Sequence, residues 1–197
     1  TGVGFQPDWV WIKSRSDTSN HRIYDAVRGG TKTLYSNLTN AQGTNADAIT
    51  SFDSDGFTLG ANAQSNGNGL TLASWCWKAG TGQGSSNTDG SINTTYTSVN
   101  TTAGFSIIKY TGNGTTNATI GHGLGVTPSM ILFKKTDSSN NWIVYEKSMG
   151  TGHYLTLNSN GAKDSASGAW CTPSSTLIQL NQVFGASETR QVRFNRL

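Results

Sequence analysis

Gly4-Phe-Gln-Pro-Asp-Trp-Val-Trp-Ile-Lys13 and Gly125-Val-Thr-Pro-Ser-Met-Ile-Leu-Phe-Lys134 lie over one another at a constant shift of about 121 positions. The Gly, the Pro, the apolar run and the closing Lys all coincide. The register continues downstream without a gap. Asn20 falls on Asn141, Ile23-Tyr24-Asp25 on Val144-Tyr145-Glu146, Leu34 and Asn37 on Leu155 and Asn158, Ala41 on Ala162 and Leu59 on Leu180. Chance does not hold register that long, so the chain reads as a tandem duplication. A unit of about 121 residues is too long for a solenoid repeat and right for a small domain.

Within each unit the apolar period is two. Trp9 and Trp11 alternate with Val10 and Ile12, so both faces of that strand are apolar and it belongs in the middle of a sheet. Phe105-Ser-Ile-Ile-Lys-Tyr110, Thr71-Leu-Ala-Ser-Trp-Cys-Trp-Lys78, Trp142-Ile-Val-Tyr-Glu146 and His153-Tyr-Leu-Thr-Leu-Asn158 read as further strands. Asp55-Gly56 between Phe52 and Phe57 predicts a hairpin turn. The best helical pattern, His21 to Arg28, is weak. Composition agrees: 92 of the 197 residues are Gly, Ser, Thr or Asn, while six Trp argue against disorder. The expectation is an all-β chain of antiparallel β-sandwich type, lectin- or jelly-roll-like, in two tandem copies. The first copy spans 1–79 and lacks its opening strand, 80–90 is a Gly/Ser linker, and the second spans 91–197.

Charge and length remove several function classes. A net charge of +3 with 13% charged residues gives no basic stripe for nucleic acid, and Arg190, Arg193 and Arg196 read as a solvated cluster. No apolar run approaches the length of a membrane-spanning helix, and Thr1-Gly-Val-Gly has no signal-segment layout. Cys76 and Cys171 are too few for a disulfide framework or a zinc site, and their pairing stays open.

Chemistry-bearing patterns are weak. Asp53-Ser-Asp55 is the one close acidic pair, and its counterpart Ser174-Ser-Thr176 has no carboxylate, so a turn role is expected. Asp25 and Glu146 occupy equivalent positions just after a strand and read as solvated strand ends. His21, His122 and His153 have no metal-ligand spacing, and Gly121-His-Gly-Leu-Gly125 reads as a turn rather than a phosphate loop. No catalytic residue, metal or cofactor is expected. Tryptophan remains: Trp9 and Trp11 share one strand face, as do Trp75 and Trp77. Trp9, Trp11 and Trp142 are the candidate ligand-binding residues, against the alternative of core packing.

The runs Gly4–Lys13, Ser51-Phe-Asp-Ser-Asp-Gly-Phe-Thr-Leu-Gly60, Trp75-Cys-Trp-Lys-Ala-Gly80 and Gly104-Phe-Ser-Ile-Ile-Lys-Tyr-Thr-Gly-Asn113 resemble repeats in surface proteins of marine tailed bacteriophages. So does Ile120-Gly-His-Gly-Leu-Gly125. The resemblance implies a non-enzymatic, tail-fibre-like structural protein of the virion surface with lectin-like modules. Its partners would be other copies of itself, other virion proteins and host surface polysaccharide, with no nucleic acid and no membrane insertion. Capsid decoration and a secreted carbohydrate-binding module are the alternatives. Relative to such repeats the first copy lacks its opening Gly-Phe-x-Ile strand, and Arg190-Gln-Val-Arg-Phe-Asn-Arg-Leu197 closes the second only weakly. The expectation is that open sheet edges are completed by a neighbour.

Overall fold

The computed structural model describes residues 2–166 and 168–180 in full, and 189–195 as strand backbone. The chain is all-β and its strands pair antiparallel throughout the named sheets. In the first half the strands are β1 (Trp9–Ser14), β2 (Arg22–Asp25), β3 (Lys32–Tyr35), β4 (Gly43–Thr44), β5 (Ile49–Asp53), β6 (Gly56–Leu59) and β7 (Leu72–Trp77). The second half continues with β8 (Tyr96–Asn100), β9 (Phe105–Thr111), β10 (Ala118–Gly121), β11 (Met130–Lys135), β12 (Ile143–Glu146) and β13 (His153–Thr156). It ends with β14 (Asp164–Ser165), β15 (Cys171–Pro173), β16 (Leu177–Leu180) and β17 (Thr189–Asn195).

Two large sheets organise the molecule. The first has the order β4-β3-β2-β1-β7 and the second the order β14-β13-β12-β11-β17-β9-β8. The strand β1 is central, as its doubly apolar pattern predicts, with β2 on one side and β7 on the other. Because side chains alternate across a strand, Trp9 and Val10 enter different cores. Trp9, Ile23 and Leu34 pack with Phe105, Ile107, Leu132, Trp142 and Val144 of the second sheet, so the two halves share one core. Val10, Ile12 and Tyr24 pack on the other face with Ala48, Ile49 and the β5–β6 hairpin residues Phe57 and Leu59. On the far side of the second sheet, Ile108, Tyr110, Ile131 and Phe133 pack with Ile120, Ile178 and Leu180 of the small sheet β10-β16-β15. Each such fully buried Ile or Leu contributes roughly 1.5–3 kcal/mol.

The predicted hairpin forms: β5 and β6 pair through Asp53↔Gly56, and Gly56 takes φ +152°, which a side chain would disfavour. The glycine turn 121–125 likewise has Gly123 and Gly125 at φ +72° and +73°. Cys76 and Cys171 are free thiols, the second deeply buried.

Residues 21–28, where the helical pattern is weak, form a strand and turn: β2 pairs on both sides and the Asp25 carboxylate accepts the Arg28 backbone N–H. Two expectations are corrected. Asp25 is not solvated. It lies fully buried in a 2.7 Å ion pair with Arg28, whose side chain is also buried. The last segment does not leave the second sheet open, since Thr189–Asn195 pairs with β11 on one side and β9 on the other. The Arg190, Arg193 and Arg196 side chains lie outside the described residues.

The stretch after β7 is held in place by Asp8. Its buried carboxylate accepts the backbone N–H groups of Ala79, Thr81 and Gly82 at 2.6–3.0 Å. Ser85 then bridges to Thr97.

Candidate functional site

The register Trp9↔Trp77 and Trp11↔Trp75 places four indoles on one face of the β1–β7 pair. Trp9 and Trp77 sit 4.4 Å apart by ring centroid, and Phe105 covers both at 5.8 and 6.3 Å. At the other end of the pair the cover stops. Trp11 and Trp75 meet edge to face at 6.0 Å, and Trp75 is 49% exposed. Together with His21 and Trp77 they line a cleft of about 220 Å³ open to solvent.

His21 supplies the polar handle. The Trp11 indole N–H donates to His21 Nδ1 at 3.2 Å, and the two rings meet edge to face. With Nδ1 accepting, the imidazole proton resides on Nε2, a donor for a cleft occupant. Burial, aided by the Lys13 charge, lowers the His21 pKa and favours the neutral ring. The backbone N–H of His21 is fixed by Asn37 Oδ1, whose amide in turn donates to Asn20. Such a cleft suits an apolar ring face with one hydrogen-bond acceptor at its rim.

Of the three candidate ligand-binding residues, Trp9, Trp11 and Trp142, only Trp11 reaches this cleft. Trp9 is 3% exposed and lies in the core. Trp142 is 1% exposed, and its indole N–H donates to the Tyr35 carbonyl oxygen. The sequence reading missed His21 as a site residue and did not join Trp75 to Trp11. Those two indoles become neighbours only through the β1–β7 register.

The remaining polar groups serve the backbone. Asp53 accepts from Thr58 Oγ1 at 2.7 Å, and that bond, with one from Ser51, holds its carboxyl below the usual range. Glu146 accepts from Ser148 in the same manner. His122 is fully buried, taking the Leu124 N–H on Nδ1 and facing the Ser174 carbonyl through Nε2. Among the described residues no group of three His, Cys, Asp or Glu side chains is placed to hold a metal ion. No described helix is long and apolar enough to cross a membrane.

The model of a domain of unknown function, DUF7483, matches residues 1–194. The chain belongs to this family. The DUF7483 match takes in both large sheets and the aromatic cleft. No curated protein and no solved structure matches the chain.

Proposed function

We propose that this chain is a non-enzymatic virion surface protein of a tailed bacteriophage, tail-fibre-like, that recognises host-surface glycan through the Trp11–Trp75–His21 cleft. The observation that carries the glycan reading is Trp75, a half-exposed indole standing against Trp11, whose ring in turn meets the His21 imidazole across the same cleft. Tryptophan left that exposed on a sheet face is a common platform for stacking. The phage assignment rests on the resemblance of the Gly4–Lys13, Ser51–Gly60 and Gly104–Asn113 runs.

The architecture in this reading is a duplicated β-sandwich unit, stacked face to face. Strand orders β4-β3-β2-β1-β7 and β14-β13-β12-β11-β17 support it. So do two like amide pairs, in which Asn37 donates to Asn20 and Asn158 to Asn141. Asn37 and Asn158 each then accept the backbone N–H of the residue just before β2 or β12, His21 or Trp142. The position that is His21 in the first unit is therefore Trp142 in the second. One opens on the cleft and the other fills the shared core.

The test is binding of fluorescently labelled protein to intact host-type bacteria, with soluble envelope polysaccharide as competitor. Saturable binding that the polysaccharide abolishes, and that Trp75→Ala loses, supports the reading. Folded protein that does not bind cells but binds purified capsids points to decoration instead. Binding to free polysaccharides without regard to a phage host points to a secreted carbohydrate-binding module.

A further inference from the structure

We propose that the outer edge of β7 is a strand-accepting site, and that its occupant is an extended segment with the β9 sequence pattern, Gly-Phe-x-Ile-x-Lys-x-Thr, contributed by a further repeat unit outside the described residues. The proposal rests on the duplication reading, and not on glycan binding.

An isolated sheet edge exposes a row of unpaired N–H and C=O groups, and proteins protect such edges by shortness, charge, proline or cover. The other edges of the two large sheets are protected. Strands β4 and β14 have two residues each, and β8 carries the Ser85 bridge at Thr97. The edge formed by β7 is different. It is six residues long, reads Leu-Ala-Ser-Trp-Cys-Trp without charge or proline, and pairs with no described strand beyond β1. Ser74 and Trp75 in its middle are exposed.

The second half of the molecule contains the paired counterpart. There β17 lies beside β11 as β7 lies beside β1, with Met130↔Asn195 matching Trp9↔Trp77. The outer edge of β17 is taken along its whole length by β9, from Thr189↔Thr111 to Asn195↔Phe105. Transferred to β7, this register sets the residue in the Ile107 position opposite Trp75. The residue in the Phe105 position then falls opposite Trp77. Both apolar side chains would lie on the indole face of β7, and the added strand would flank Trp75 along the sheet edge, leaving its outward ring face to the cleft. Main-chain bonds supply affinity and the alternating side chains supply register, as in strand addition generally. A β9 strand taken from a second copy does not serve, because both of its edges are already occupied by β8 and β17.

A synthetic peptide of residues 103–113 tests the site on the intact protein. The expected result is saturable binding by fluorescence anisotropy, with a scrambled peptide and an Ile107→Pro peptide each weaker by at least about tenfold. Register is read by cross-linking under diamide. The position of Ser106 falls opposite Cys76, a free half-buried thiol, so an S106C peptide forms a disulfide with Cys76 where an I107C peptide does not. Folded protein that ignores the peptide overturns the proposal, as does equal binding of the scrambled peptide. A dimer in sedimentation that Ser74→Pro dissociates, without peptide binding, overturns it in favour of pairing between two β7 edges. Trp75→Ala removes glycan binding in the functional reading but leaves the main-chain ladder intact, so the two readings fail separately.

Discussion

The indole N–H of Trp142 donates to the carbonyl oxygen of Tyr35 at 2.7 Å, joining residues 107 positions apart in the chain. Nearby, Asn140 donates its backbone N–H to the Thr39 carbonyl, and Gln42 donates its own to Thr136. The Lys134 ammonium also reaches the Thr39 carbonyl. These bonds clamp the two large sheets beside their shared core. Trp142→Phe keeps the apolar ring but leaves the Tyr35 carbonyl without this donor. A loss of about 1–3 kcal/mol is expected, read as a lower urea midpoint with an unchanged slope.

Indoles of the same strand pair should divide sharply by burial. Trp75→Ala, at an exposed position, should change stability by less than about 1 kcal/mol while abolishing the polysaccharide binding proposed above. Trp9→Ala opens a hole beneath Trp77 and Phe105 and should cost about 3–5 kcal/mol. Equal losses of stability in the two variants would contradict the placement of the cleft.

The Asp25–Arg28 pair gives a charge-specific test. Both side chains are buried, and the position equivalent to Arg28 in the second half is Met149. Arg28→Met strands a buried carboxylate and should cost about 3–5 kcal/mol. Adding Asp25→Asn removes the stranded charge and should recover part of that loss in the same urea titration.

Mild acid should weaken the fold through His122. Burial lowers its pKa below the unfolded value near 6.5, and its Nδ1 already accepts the Leu124 N–H. A group whose charged form is disfavoured on folding contributes stability above the unfolded pKa, which is lost as pH falls through the folded one. His21 shifts in the same direction. The urea midpoint should therefore fall between pH 7 and pH 5, before the carboxylates titrate. His122→Asn should flatten that fall, and an unchanged slope in this variant would place the effect elsewhere.

Much of the architecture was written in local pattern. The double apolar alternation of Trp9–Ile12 marked a central strand, and Asp55-Gly56 marked a hairpin because a tight turn demands a backbone that glycine tolerates. The self-similar register sets Asn37 over Asn158, and the two make like hydrogen bonds, to Asn20 and Asn141. Asp25 was misread because a carboxylate one residue past a Tyr looks solvated, and nothing in a strand-end pattern announces that Arg28 folds back onto it. The closing strand β17 was undervalued for a similar reason. Its weak alternation carries little signal, while β9 and β11 on either side supply the pairing that fixes it.

The sequence by itself determined the strand class and the turn positions, which follow from side-chain period and backbone freedom within a few residues. Only the tertiary structure decided which tryptophans are core and which are surface. Trp9, Trp11 and Trp75 have the same chemistry and sit on the same face, and what separates them is where Phe105 and the second sheet cease to cover that face. Coverage depends on contacts about 100 residues apart in the chain, and short-range periodicity carries no information about it.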